Sequence, residues 1–252
     1  MSPIAANLQA VRRRISEALQ GDSRAVTVVA VSKSHPADAV RAAYEAGCRD
    51  FGESYVQEAV PKIASLKDLD AVWHFIGHLQ GNKAREVASS FDWVHGVDRP
   101  RIAQALAKAR PPERPPLDVC IQVNISAEAT KGGVRPEEVA GLAREIRAMP
   151  RLRLRGLMGM AGASADAASQ RQQFALLRGT FRDLVAAGFP LDTLSMGMSQ
   201  DFEAALAEGA TMVRIGTAIF GERSWKPGSE PNVVKQDNPR EHHAHELGSD
   251  PT

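Results

Sequence analysis

Short β-branched, apolar runs alternate with helically spaced stretches along this chain, from about residue 26 to residue 220. Val26–Ser32 reads as a buried strand. Pro36–Gly47 follows, with Val40, Ala43 and Tyr44 at helical spacing and a terminal glycine. The pair then recurs. A short strand leads to Phe51-Gly52-Glu53, before a helix over Val56–Leu66. Ala71–Ile76, Asp92–His95, Leu117–Val123 and Arg153–Met158 read as strands. Helices over Gln80–Ala88, Arg99–Ala109, Pro136–Met149 and Ala168–Ala187 follow them in turn. Thr193–Ser195 is a short strand, Asp201–Glu208 a helix, Met212–Ile215 the last strand and Thr217–Phe220 a closing short helix. Strands alternating with helices imply parallel pairing and right-handed crossovers. Eight such units match a closed (β/α)8 barrel, the TIM-barrel architecture. The rival is an open doubly wound sheet, which often carries a glycine-rich first turn. The first turn here, Ser32-Lys-Ser-His-Pro36, has no glycine, which favours the barrel.

Ile4–Leu19 adds an amphipathic helix before the first strand and reads as neither a leader nor an anchor. From Lys226 onward apolar residues nearly vanish. The expected organisation is therefore one barrel domain over residues 1–225 and a disordered polar tail over 226–252. His242, His243 and His245 lie in that tail, and without a rigid frame no metal site is expected. A net charge of +1, from 31 basic and 30 acidic residues, argues against nucleic acid or an anionic membrane as a partner. The cysteines Cys48 and Cys120 both sit in apolar contexts and read as buried free thiols, which fits a reducing compartment. No apolar run is long enough to span a bilayer, so a cytoplasmic location is expected.

In such a barrel the chemistry gathers where strands end and loops begin. Lys33 directly follows the first strand. A lysine there either snorkels to solvent or is held partly desolvated, with its pKa lowered, as a neutral amine able to condense with an aldehyde. Ser195-Met196-Gly-Met-Ser199 follows the seventh strand, with Ser199 as a candidate N-cap and Asp201 in the first turn of a helix opening near Gln200. Gly216 and Thr217 follow the eighth strand and open another short helix. Either loop alone reads as ordinary capping. Together, at one barrel end beside Lys33, they read as a phosphate cradle for an aldehyde ligand. Arg214 lies in an apolar strand and needs a partner, either a structural carboxylate or the ring nitrogen of a ligand.

Several segments carry a family resemblance: Val29-Ala-Val-Ser-Lys33, Phe51-Gly-Glu-Ser-Tyr-Val-Gln-Glu58, Trp73-His-Phe-Ile-Gly77 with Leu79-Gln80 and Asn82-Lys83, Gln122-Val-Asn124 with Lys131-Gly132, Gly156-Leu-Met158, Leu194–Ser199 and Val213–Thr217 through Phe220-Gly221. In order and spacing they resemble the pyridoxal phosphate homeostasis proteins of the YggS/PROSC type, over about residues 5–225. The resemblance implies a fold similar to the N-terminal barrel of alanine racemase. It implies pyridoxal 5′-phosphate held as a Schiff base on Lys33. Ser199, Gly216 and Thr217 would hold the phosphate, and Arg214 would face the pyridine nitrogen. Ser54 and Met196 complete the expected cofactor contacts, with no catalytic residue and no metal. It further implies a role in vitamin B6 and amino-acid balance without turnover, with the cofactor and the enzymes that receive it as partners. A single compact barrel without a partner domain suggests a monomer. A barrel-only racemase or lyase is the alternative, and a phosphosugar-binding barrel a third. Two-base racemases of this fold add a β-rich domain, whereas only about 30 mostly polar residues follow the eighth strand here. Tyr55 and His78 are the only, weak, second-base candidates. The family usually has asparagine at Ser54, proline at His78 and serine at Gly81. Gly159–Ser164 is also smaller and more polar than expected.

Overall fold

Eight strands pair in sequence order, all parallel, and the last returns to the first. They are β1 (Thr27–Val31), β2 (Asp50–Glu53), β3 (Val72–Phe75), β4 (Trp93–Val97), β5 (Leu117–Gln122), β6 (Leu152–Met158), β7 (Thr193–Ser195) and β8 (Met212–Ile215). The computed structural model describes residues 2–126, 128, 132–162 and 166–222. The expected polar tail and its histidines lie outside these residues, as do Lys131 and Ser164. Closure is fixed by register, with Val29 opposite Arg214 and Ala30 opposite Ile215. β4 and β5 are buried at every position, as a strand covered on both faces must be. The sheet is therefore the closed barrel expected, and the open doubly wound alternative is excluded.

Helices cover the outside: α1 (Pro3–Leu19), α2 (Ala37–Glu45), α3 (Val56–Ser65), α4 (Ala84–Ser90), α5 (Pro100–Ala109), α6 (Val139–Arg147), α7 (Ala167–Ala186), α8 (Phe202–Ala207) and α9 (Thr217–Phe220). α1 starts where Ser2 accepts the Ala5 N–H and Pro3 fits the first turn. Its buried stripe is Leu8, Val11 and Ile15, each contributing about 1.5–3 kcal/mol on burial. Asn7 ties it to the carbonyl of Ile219 in α9 at 3.0 Å, and Arg12 to the carbonyl of Gly47 at 2.8 Å. The extra helix thus braces the barrel across the β8–β1 seam.

Several boundaries differ from the sequence expectation, and the stretch expected as a helix from Pro136 begins as a 3-10 turn, Pro136–Glu138, before α6. The stretch expected as a helix from Gln80 begins as a 3-10 turn, Gly81–Lys83, before α4. α8 starts at Phe202 rather than near Gln200, because the Asp201 carboxylate accepts the Met198 N–H at 2.5 Å and holds the preceding residues in a turn. Cys48 and Cys120 are buried free thiols, as expected. Burial pushes both thiols up in pKa, which leaves them poorly reactive. No described helix is long and apolar enough to cross a membrane.

Candidate functional site

Lys33 sits in the short loop between β1 and α2 and is half-buried. Its neighbours on both sides are clamped. The Ser32 hydroxyl donates to Glu53 Oε1 at 2.7 Å, and the Ser34 N–H donates to Glu58 Oε1 at 2.6 Å. Ser34 adopts φ +64°, a left-handed conformation unfavourable for a residue with a Cβ. The bond to Glu58 helps to hold it there. Lys62 completes the cluster, donating to the Ser32 carbonyl at 2.9 Å and to Glu53 and Glu58 at 2.7 Å each. An ammonium has three N–H donors, and here all three are used. Glu53 is fully buried, and burial pushes its carboxyl up in pKa against the opposing pull of Lys62 and Ser32. His35 stacks on Phe220 with ring centres 5.1 Å apart, joining the Lys33 loop to α9.

The other side of the seam is built by the ends of β7 and β8. Arg214 is 5% exposed and spends one nitrogen on the Ser195 carbonyl and hydroxyl, both at 2.7 Å. Its other terminal nitrogen reaches the Gly159 carbonyl at 3.1 Å. Among the described residues no carboxylate touches it, so the structural ion pair weighed from the sequence is not what holds it. Burial lowers its pKa to about 10, which leaves it protonated at neutral pH. Gly197 takes φ +94°, and a Cβ there would lie 2.7 Å from the Ala205 Cβ, so this turn requires glycine. Ser199 does not cap its own helix. Asp201 stands at the N-cap of α8, and the Ser199 hydroxyl instead accepts the Ala218 N–H of α9 at 3.4 Å. Gly216 lies against the end of β1, where a Cβ would sit 3.4 Å from the Val31 carbonyl oxygen.

Lys33, Ser199, Arg214, Gly216 and Thr217 therefore lie on the adjoining strands β7, β8 and β1, and all but the in-strand Arg214 lie beyond the strands' C-terminal ends. Ser54 follows β2 and is half-buried. Met196 is wholly buried in the apolar core, with its N–H donated to the Met212 carbonyl.

The alanine racemase N-terminal domain family matches residues 2–224 of this chain. A pyridoxal phosphate homeostasis protein of Pseudomonas aeruginosa is 54% identical over 228 residues, covering 89% of this chain and 98% of the relative. The chain belongs to the pyridoxal phosphate homeostasis protein family. A member from Escherichia coli is 48% identical over 231 residues, covering 89% of this chain and 99% of its own length. The solved structure of PipY from Synechococcus elongatus with pyridoxal phosphate bound is 38% identical, with a TM-score of 0.76, and covers 86% of this chain and 100% of that one.

Against the family pattern, the positions of His78 and Gly81 are explained by their surroundings. The His78 side chain is 62% exposed and lies 3.9 Å from the Asp98 carboxylate, so it occupies the rim. A Cβ added at Gly81 would meet nothing within 4 Å, and the backbone angle there is ordinary, so the serine usual in the family would fit. Ser54 is more constrained, since the Gly77 backbone packs on it: a Cβ at Gly77 would fall 2.2 Å from the Ser54 carbonyl oxygen. Sequence reasoning missed Lys62, Glu58 and Ser195 as parts of this site. One signal was present, the four-residue spacing of Glu58 and Lys62 on a helix that starts beside the strand end.

Proposed function

We propose that this protein holds pyridoxal 5′-phosphate on Lys33 as a carrier in vitamin B6 and amino-acid homeostasis, without turnover. The observation that carries this reading is the pairing of β8 with β1, which joins the Lys33 loop to Arg214, Gly216 and Thr217 in a chain so similar to the homeostasis proteins. When bound, the cofactor supplies an aldehyde that a neutral amine can attack. Lys33 is the amine in this reading. The first N–H groups of α9 have no partners within their own helix, and Gly216 and Thr217 present theirs for a phosphate, with the Ser199 hydroxyl beside them. The Ser34 hydroxyl next to Lys33 is buried without a hydrogen-bond partner among the described residues, a polar atom that a ligand would satisfy.

Arg214 is what separates holding from chemistry. A protonated guanidinium offers only donors, so facing the pyridine nitrogen it favours the unprotonated ring. That ring is a poor electron sink, which supports carrying over amino-acid turnover. The two second-base candidates also fit poorly, since Tyr55 is 38% exposed and His78 lies at the rim. In the same reading the protein acts in the cytoplasm as a monomer, and cofactor-dependent enzymes are the recipients.

The visible spectrum of the purified protein tests the attachment. The long-wavelength band of a Schiff base is expected in the native protein and absent in Lys33→Ala; a band that survives the substitution overturns the assignment. Ser199→Ala combined with Thr217→Val should release the cofactor about tenfold faster, the equivalent of about 1.4 kcal/mol, as read by stopped-flow transfer to an apo-enzyme. An unchanged rate would count against the cradle. Rapid exchange of the Cα proton of added amino acids in deuterated water would count against the carrier reading.

A further inference from the structure

A line of polar side chains runs through the barrel interior and ends on Arg214. Asp50, the first residue of β2, places Oδ1 3.0 Å from Nε2 of His74 in β3. His74 Nδ1 lies 3.0 Å from Nε2 of His95 in β4. His95 Nδ1 lies 2.9 Å from the hydroxyl of Ser195 at the end of β7, and that hydroxyl meets Arg214 Nη1 at 2.7 Å. His74, His95 and Ser195 have no solvent exposure, whereas the Asp50 side chain is 27% exposed. Asp50 also borders a cavity of about 310 Å³ at the opposite end of the barrel, lined by Leu8, Arg12 and Ile15 of α1.

Hydrogen bonding gives this line a direction. Arg214 has only donors, so the Ser195 oxygen accepts from it. The Ser195 proton then goes to His95 Nδ1, which must accept. His95 keeps its proton on Nε2 and donates it to His74 Nδ1. His74 in turn donates from Nε2 to the Asp50 carboxylate. The side-chain donors of Ser195, His95 and His74 are all used, and each bond points from the cation to the anion. The reverse direction turns the His74 Nε2 lone pair onto the Asp50 carboxylate unless a further proton is added between them, and it leaves the Ser195 proton without a partner among the described residues. Burial, with the neighbouring His74 and Arg214, pushes His95 well down in pKa, consistent with a neutral ring. Trp93 stacks on His74 at 5.5 Å and holds its plane.

We propose that Asp50, His74 and His95 are positioning residues for Arg214: their one-way chain strengthens the Ser195 hydroxyl as an acceptor and fixes the guanidinium for the cofactor ring. This rests on the reading of Arg214 as the partner of the pyridine nitrogen, and it places one determinant of cofactor retention at the far end of the barrel. Asp201, whose charge also acts on Arg214, lies outside the chain and serves as a comparison.

The test begins with cofactor-free protein, so that it stands even where the cofactor assignment fails. Nitrogen-15 NMR should find Nε2 as the donor and Nδ1 as the acceptor in both histidines. The Arg214 Nη protons should exchange slowly in the native protein and at least about tenfold faster in His95→Phe and Asp50→Asn, a loss equivalent to about 1.4 kcal/mol. His95 carrying its proton on Nδ1, or unchanged Arg214 exchange in both variants, overturns the proposal. In loaded protein, Asp50→Asn should shift the pyridine nitrogen-15 resonance and speed cofactor release, with a melting temperature close to native. A variant that lowers only the melting temperature, with resonance and release native, makes the histidines plain core residues and overturns it as well. Asp201→Asn should leave both histidine tautomers unchanged. A tautomer change in Asp201→Asn contradicts the proposed path.

Discussion

Lys62→Met should cost about 3–5 kcal/mol of folding stability at neutral pH, the usual result of removing one partner from a buried ion cluster. The substitution keeps most of the side-chain volume, so the loss is electrostatic. Glu53 and Glu58 both lean on this one ammonium, and each already has a second carboxylate oxygen buried without a partner among the described residues. The cost should depend on pH. Glu53 is raised in the folded state by burial, and without Lys62 it rises further. A carboxyl with a raised folded pKa binds a proton that the unfolded chain has released. Its stability contribution is therefore present below the unfolded value and is lost as pH rises through the folded one. Urea unfolding at about pH 5 should thus show a smaller deficit than at about pH 8. A deficit below about 1 kcal/mol, or one that does not change with pH, would mean the cluster is solvated. Since Ser32 and Ser34 both anchor on this cluster, the same variant should loosen the loop that carries Lys33.

Gly156→Ala should be nearly as damaging. A Cβ at this position in β6 would lie 1.7 Å from the Thr193 carbonyl oxygen and 2.6 Å from its carbon. Gly156 is registered directly opposite Thr193 in the parallel ladder, so the obstacle is backbone and cannot rotate away. Relief requires β6 and β7 to separate, and β7 is only three residues long. The expected loss is about 3 kcal/mol or more, at or beyond the top of the usual range for overpacking, read by denaturant unfolding or as insoluble protein. Gly179→Ala is the control. It sits within α7 with nothing within 4 Å of an added methyl, and should stabilise by about 0.5–1 kcal/mol. A soluble Gly156→Ala protein of native stability would mean that this seam yields more easily than its register implies.

Much of this architecture is legible residue by residue. Val29, Ala30 and Val31 are a buried apolar run, and β1 lies there. Leu8, Val11 and Ile15 recur at helical spacing, and they are the buried stripe of α1. Lys33 can be placed at a strand end for the same reason, since it directly follows an apolar run. Ser199 is misread as the cap of α8 because a serine before a helix looks like one, and the competing carboxylate of Asp201 is equally local. Nothing local distinguishes the two. The cluster around Lys62 escapes notice in the sequence because a lysine and a glutamate four residues apart usually mark a solvated helix face.

The sequence by itself determined the order of strands and helices, the closed barrel they form and the residues at the strand ends. These follow from local periodicity, which reports the face each residue presents. Tertiary structure alone decided which polar groups meet. Ser32 and Glu53 are 21 residues apart, and His95 and Ser195 are 100 apart. Their contact depends on the stagger of strands around a closed barrel, which periodicity does not encode. A buried polar group must find a partner somewhere: the packing of β8 beside β7 and the end of β6 gave Arg214 Ser195 and Gly159, and the packing of α3 on β1 and β2 gave Lys62 the Ser32 carbonyl and Glu53.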